Sequence, residues 1–380
     1  MKKLLAVFLT LALFICLTAC GSGEESGGLS SDGEQAWTVK SAKYTYPSGM
    51  SYTCYSAEFT NEKFIMSNLS EFKKGEPDRD SIVFYLNSNG IAKMVEEEQD
   101  FGEDVEIGGE TTFFYDEATE TLTKTTMEDG KLDSQTVYAL KWDDQERLSK
   151  YTQTNTYYYY DDEGVEKEDE RSTSVGNYTY EYGAESYTIT SDTDYTEWID
   201  DEKVIIIRRN VATVPYDEKG DITTVESFFY KDGRPYDFKG SGTTTVKSES
   251  ACNYWGYVLY ENEEYIDGSK NERKPKVTFD AEGKVLTSTK TYGKSDTVVT
   301  FTYDENGNLT KMVWENEVGT NSIEFEWMKI PAKLDKQLAM FSGSPHWSVA
   351  EYIDNYVEFL YEGRLTVRTY KKADFLACIS

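Results

Sequence analysis

The chain has 380 residues, with 39 Lys and Arg against 69 Asp and Glu, a formal charge of −30. So acidic a surface repels phosphate backbones and argues against a nucleic-acid partner. One histidine (His346) and five cysteines with no CxxC spacing give no zinc cluster, and nothing in the composition calls for a cofactor.

Lys2 and Lys3 precede an apolar run from Leu4 to Leu17, and Thr18-Ala19 lead into Cys20. Charge, apolar core and small residues in that order make an export signal rather than a spanning helix. The run Leu17-Thr18-Ala19-Cys20 resembles the lipobox of bacterial lipoproteins. The resemblance implies removal of residues 1–19 and acylation of Cys20, with the membrane as partner through those chains. It places the chain on the exported side of the cell membrane, or in the periplasm or outer membrane of a Gram-negative cell. Buried methylenes contribute about 0.8 kcal/mol each, so several chains on one residue hold a domain firmly.

Residues 20–35 hold that cysteine and a Gly, Ser and acid stretch with almost nothing to bury. They read as a flexible tether. Removing residues 1–35 leaves 345, enough for one large domain or two modest ones.

Residues 36–330 read as short strands broken by acidic turns. In the clearest unit, Val299, Phe301 and Tyr303 alternate with threonines and Asp304-Glu305-Asn306-Gly307-Asn308 turns the chain. Leu309 then resumes an extended pattern. Asn and Gly supply the positive φ that a tight hairpin needs. Ile323, Phe325 and Trp327 alternate with glutamates, as in a strand with one wet face. Looser copies begin at Tyr85, Tyr115, Trp142, Tyr160, Tyr216 and Phe279. Each sets an aromatic before a polar turn opening and an aliphatic or β-branched residue after the turn.

These units resemble YD repeats, the Tyr-Asp-x-x-Gly-x-Leu pattern of bacterial surface and Rhs-type proteins. The resemblance covers residues 80–315 in patches. It implies extended antiparallel sheet and surface, adhesive or encapsulating roles. The fold class expected is therefore mainly β: an extended antiparallel sheet of repeated hairpins, with a small helical element near the C-terminus.

Tyr157, Tyr158, Tyr159 and Tyr160 are four in a row, and Tyr178, Tyr180 and Tyr182 share one strand face. Tyrosine suits half-buried sheet, and sheet packing is the ordinary reading of both groups. The functional alternative makes Tyr157 to Tyr160 the candidate ligand-facing residues, stacking on sugar rings or on a partner.

Residues 331–380 change character and are expected to pack on the same domain. Ser348-Val349-Ala350-Glu351 has the form of a capping box, and the apolar spacing predicts a helix over 348–360. The rival is a hairpin pairing 356–361 with 364–370. Residues 331–341 read as a short helix or a loop.

Cys54, Cys252 and Cys378 remain after the signal and the lipid site, an odd number that allows one disulfide at most. Asp304 to Glu315 resembles a calcium loop, but its sixth position is Leu309 rather than glycine. A hairpin turn explains it better, and no metal site is proposed. His346 has no Gly-x-Ser-x-Gly elbow beside it, so no catalytic residue is named. The function expected is binding or scaffolding by a membrane-anchored surface lipoprotein, with an envelope glycan or surface protein as partner. The alternatives are a carboxylate-dependent glycan hydrolase and an envelope-assembly factor.

Overall fold

The computed structural model describes residues 33–341 and 371–379, apart from 74–75, 100–104, 162–163, 168–170, 200–201, 217–219, 235, 237–243, 253–257, 275, 293–294 and 317–318. Cys20, His346, the helix expected over 348–360 and its rival hairpin lie outside the described residues.

Alternating side chains and punctuating turns produce 21 strands in one sheet. The first seven are β1 Gln35–Thr45, β2 Ser51–Phe59, β3 Lys63–Lys73, β4 Glu76–Asn87, β5 Gly90–Gln99, β6 Glu106–Asp116 and β7 Thr121–Glu128. Then come β8 Lys131–Trp142, β9 Leu148–Tyr157, β10 Ser172–Tyr182, β11 Ser186–Ile199, β12 Glu202–Pro215, β13 Ile222–Tyr230 and β14 Thr245–Cys252. The last are β15 Val258–Tyr265, β16 Lys270–Arg273, β17 Lys276–Phe279, β18 Val285–Tyr292, β19 Ser295–Tyr303, β20 Leu309–Asn316 and β21 Gly319–Pro331. Two short helices follow, α1 Ala332–Phe341 and α2 Lys372–Ile379. The first takes the helical option for residues 331–341. The second had no counterpart in the sequence reading, because eight residues are too few for periodicity to speak.

Each strand pairs antiparallel with its predecessor from β1 to β16. The same holds from β17 to β21. The first and last strands also pair, with Ala42 opposite Phe325 and Tyr44 opposite Ile323. The two edges left over are β16 and β17, which are successive in the chain. Three virtual bonds of about 3.8 Å separate Arg273 from Lys276, so the edges lie within about 11 Å there. These two edges are thus joined through the chain, and no ladder between them occurs among the described residues. Pro275 lacks the N–H a continuous ladder would use.

Both helices sit at one end of the sheet. Gln337 of α1 accepts from Ile91 N at 2.9 Å and donates to Asn89 O at 3.0 Å. Lys372 of α2 donates its backbone N–H to Glu146 O and pairs its ammonium with Glu120. Phe375 wedges between Tyr115 and Trp142, with ring centroids 5.3 and 5.7 Å away. Since strands alternate in direction, the turns after β2, β4, β6, β8, β10, β12, β17 and β19 all lie at this end.

The acidic turns share one geometry. Asp143, Asp280 and Asp304 each donate N–H to the carbonyl four residues on, at 2.8, 2.9 and 2.9 Å. Each carboxylate Oδ1 accepts from the N–H groups two and four residues on. The fourth residue needs positive φ: Gly283 has 86°, Gly307 81°, and Glu146 takes 58° without being glycine. The aliphatic residue after each turn points inward. Ile91, Leu122, Leu148, Ile222, Val285 and Leu309 are all buried in one core. An aromatic from a later hairpin then caps three of their carbonyls. Tyr182 Oη donates to Leu148 O at 2.8 Å, Tyr303 Oη to Val285 O at 2.9 Å, and Trp327 Nε1 to Leu309 O at 2.7 Å.

The opposite face of the sheet is charged. Lys40 faces Glu326, Lys311 faces Glu324 and Arg209 faces Asp192. These ion pairs set charge where a membrane-spanning barrel carries an apolar outer band, and exposed apolar side chains such as Ile107 and Phe114 occur as well. Among the described residues no helix is long and apolar enough to cross a membrane.

Candidate functional site

The tyrosines divide into a packed row and an exposed pair. The row crosses β8 to β11 and ends just past β12. Tyr151 stacks on Tyr178 at 4.2 Å and touches Tyr138 and Tyr180. Tyr180 continues to Tyr182, Tyr187 and Tyr216 at centroid distances of 6.4, 6.0 and 5.8 Å. Tyr180 and Tyr187 are buried. Burial pushes the phenols of Tyr138, Tyr151 and Tyr187 up, and that of Tyr182 up to about 12. They stay protonated and act as packing and donors. Tyr178, Tyr180 and Tyr182 thus share one face for sheet packing, the ordinary reading of that spacing.

Tyr157 to Tyr160 leave β9 and enter the 158–171 connection at the end away from the helices. Successive residues of an extended chain point opposite ways, and the four split accordingly. Tyr160 is an anchor: its Oη donates to Leu132 O at 2.9 Å, and Lys131 Nζ lies 5.3 Å from its ring centroid. Burial, then the Glu166 charge, raise its pKa. Tyr158 donates its N–H to Asp133 O, and the Arg171 guanidinium lies 4.9 Å from its ring centroid. Arg171 is itself held by an ion pair with Glu166. The turn from Asp161 to Val165 fixes the loop base through Gly164 N donating to Asp161 O at 2.9 Å. Tyr157 and Tyr159 are left facing solvent, each 45% exposed.

Beside Tyr157, on the same strand face, lie Gln153 and Asn155. Asn155 Oδ1 accepts from Thr136 Oγ1 at 2.9 Å and from Gln153 Nε2 at 3.0 Å. Its Nδ2 donates to Ser174 Oγ at 3.2 Å. The face thus passes from packed tyrosine, through neutral amides and hydroxyls, to an exposed ring. Stacking surface next to neutral polar groups is the chemistry that receives sugars and uncharged peptide groups. The clamp by Arg171 and Glu166, and the amide row, escaped the sequence reading. Alternation from Tyr151 to Tyr157 was the available signal for the amides.

The carboxylates do other work. Hydrogen bonds hold Asp116, Glu263 and Asp267 below the usual range, and lysine partners do so for Glu249 and Glu324. At Asp143 and Asp304 burial pushes upward, but hydrogen bonds from the turn outweigh it and the net shift is down. A general acid for glycoside cleavage needs the reverse shift. Asp304 spends both oxygens on its own turn, Oδ2 accepting from Asn308 Nδ2 at 3.0 Å, so the calcium-like stretch is a hairpin turn. Among the described residues no group of three His, Cys, Asp or Glu side chains could hold a metal. Cys54 is a buried free thiol that donates to Ala42 O at 3.4 Å, and burial pushes its pKa to about 11. The side chains of Cys252 and Cys378 lie outside the described ones.

No family model matches the chain, and no curated protein matches it. Among solved structures, a porin-like protein from Bacteroides uniformis is similar over 76% of this chain and 98% of that one, at 10% identity and a TM-score of 0.23. So low a TM-score leaves the fold to be read from the strand pairings themselves.

Proposed function

We propose that the chain is an exported lipoprotein, anchored by acyl chains on Cys20, whose β-rich ectodomain binds an envelope glycan or surface protein without turning it over. The observation that carries the binding part is the clamped loop. Tyr158 and Tyr160 are fixed by Arg171 and Leu132 O, Tyr157 and Tyr159 are exposed, and Tyr157 shares the strand face of Asn155. A loop held this way presents rings without first ordering them, which lowers the cost of binding. The acids support a non-catalytic reading, because those whose pKa moves are held ionised. The charged outer sheet face favours a domain held beside the membrane rather than within it, as an acylated Cys20 would provide.

Full-length protein and a Cys20→Ala variant, partitioned between detergent and water, test the anchor; an unchanged detergent fraction for the variant ends that part of the reading. Capture of envelope extracts and arrayed glycans tests the site. Tyr157→Ala with Tyr159→Ala should weaken capture about tenfold, within the range for stacking residues, with the unfolding midpoint unchanged. Hydrolysis of glycan or peptide by the purified protein, abolished by one carboxylate substitution, would place it in the other class.

A further inference from the structure

Where β20, β21, β1 and β2 run side by side, the apolar core ends in a cluster of rings. Pairing sets Met312 opposite Ile323, Ile323 opposite Tyr44 and Tyr44 opposite Tyr52. Met312 and Ile323 are fully buried, whereas Tyr44 and Tyr52 are half-buried. One step toward the end away from the helices, Trp314 faces Asn321, and Tyr46 opens the turn after β1. Tyr44 meets Tyr46 and Trp314 edge to face, with centroids 4.7 and 5.6 Å away. Tyr46 and Tyr52 lie 22° from parallel at 5.9 Å. Tyr46 and Trp314 are half-buried as well.

The cluster is held from behind. Tyr46 N–H donates to Met50 O and Gly49 N–H to Tyr46 O, both at 2.9 Å, so Tyr46 is built into its turn. Gly319 comes so close to that turn that a Cβ on it would meet Pro47 Cβ at 2.7 Å. Tyr44 Oη donates to Asn321 Oδ1 at 2.9 Å. Burial, then the neighbouring Tyr46 and Cys54, hold the Tyr44 phenol above its ordinary range, so it stays a donor. The Asn321 amide is thereby oriented with Nδ2 left over. Asn321 Nδ2, Tyr46 Oη and Trp314 Nε1 have no hydrogen-bond partner among the described residues. Three neutral donors thus accompany four rings. Lys43, Lys311 and Glu324, their ladder neighbours, stand on the other face of the sheet.

We propose that this cluster is a binding site for neutral pyranose sugars. The C–H face of a sugar stacks on the exposed parts of the rings, and its hydroxyls accept from Asn321 Nδ2, Trp314 Nε1 and Tyr46 Oη. Apolar surface with a few placed polar groups is the composition of a small-molecule site, and tyrosine and tryptophan supply both in one side chain. A wholly apolar ligand would strand the three donors. An anionic one would find no counter-charge here and be repelled by a chain of net −30. The site stands apart from Tyr157 and Tyr159 and does not rest on what they bind.

The test uses full-length protein in detergent carrying Tyr157→Ala and Tyr159→Ala, so that sugar bound there does not come from that loop. Cellopentaose and chitopentaose are titrated by isothermal titration calorimetry, with polygalacturonate as the anionic counterpart. At least one neutral oligosaccharide should bind, and polygalacturonate should not. Adding Tyr46→Ala, which removes one ring from a turn, should weaken binding about tenfold. Adding Asn321→Asp keeps an acceptor for Tyr44 Oη but removes the amide donor, and should weaken binding by a similar factor. Circular dichroism spectra matching the parent show that the variants fold; where Tyr46→Ala does not, Asn321→Asp decides alone. No binding of either neutral oligosaccharide overturns the proposal, as does affinity unmoved by Asn321→Asp. Equal binding of polygalacturonate also overturns it, because the site would then not select neutral sugars.

Discussion

Gln337 joins the helical end of the molecule to the sheet, and replacing it gives a graded test of that junction. The residue is 2% exposed, and its side chain accepts from Ile91 N at 2.9 Å and donates to Asn89 O at 3.0 Å. Ile91 is buried and Asn89 is exposed. In Gln337→Leu the Asn89 carbonyl therefore regains water, but the Ile91 N–H is stranded. A buried donor without a partner costs about 1–3 kcal/mol, so the variant should lose about 2 kcal/mol. Gln337→Glu separates geometry from charge. Protonated, a glutamic acid can still accept from Ile91 and donate to Asn89. Ionised, it sets a buried negative oxygen against the Asn89 carbonyl, so its folded pKa rises above the unfolded value of about 4.3. The sign follows from linkage. Below about pH 4 both states are protonated and the variant should lie close to the native protein. As pH rises through about 4.3 the unfolded state ionises first, and stability falls until the folded pKa is passed. A rise of about two units corresponds to about 2.7 kcal/mol lost at pH 7. Urea unfolding followed by tryptophan fluorescence at pH 4 and pH 7 reads both effects. An equal deficit for Gln337→Glu at the two pH values would refute the argument, as would a Gln337→Leu midpoint indistinguishable from the native one.

The turn geometry makes opposite predictions at two equivalent positions. Gly307→Val, at φ 81°, should destabilise by about 1 kcal/mol or more, whereas Glu146→Gly, at φ 58°, should stabilise by about 0.5–1 kcal/mol; equilibrium unfolding decides both. Tyr303→Phe removes only the hydroxyl that donates to Val285 O and should cost about 0.5–1.5 kcal/mol by the same assay. The depressed carboxyl of Asp304 contributes stability above its unfolded pKa of about 3.9, lost as pH falls through the lower folded value. Asp304→Ala should therefore flatten the acid limb of the stability profile. Calcium should leave the melting temperature of the native protein unchanged, because Asn306 and Asn308 already occupy the carboxylate.

The local parts of this structure were legible because hairpins are made by neighbours in sequence. Asp304, Gly307 and Leu309 sit within six residues, so the turn, the positive φ and the inward aliphatic all follow from residue type. The same holds for alternation along Ile323, Phe325 and Trp327, which fixes one buried face whatever lies beside it. Pairing between distant strands has no such signal. That β1 closes on β21, setting Ala42 opposite Phe325, depends on backbone groups every residue shares, and only the assembled sheet selects it. The four tyrosines from Tyr157 to Tyr160 are identical as letters. Their division into two anchors and two exposed rings came from Leu132, Arg171 and Glu166, brought beside them by the β8·β9 and β9·β10 pairings. Likewise α2 is too short to announce itself, since a helix of eight residues is held by what it packs on, here the rings of Tyr115 and Trp142 closing on Phe375.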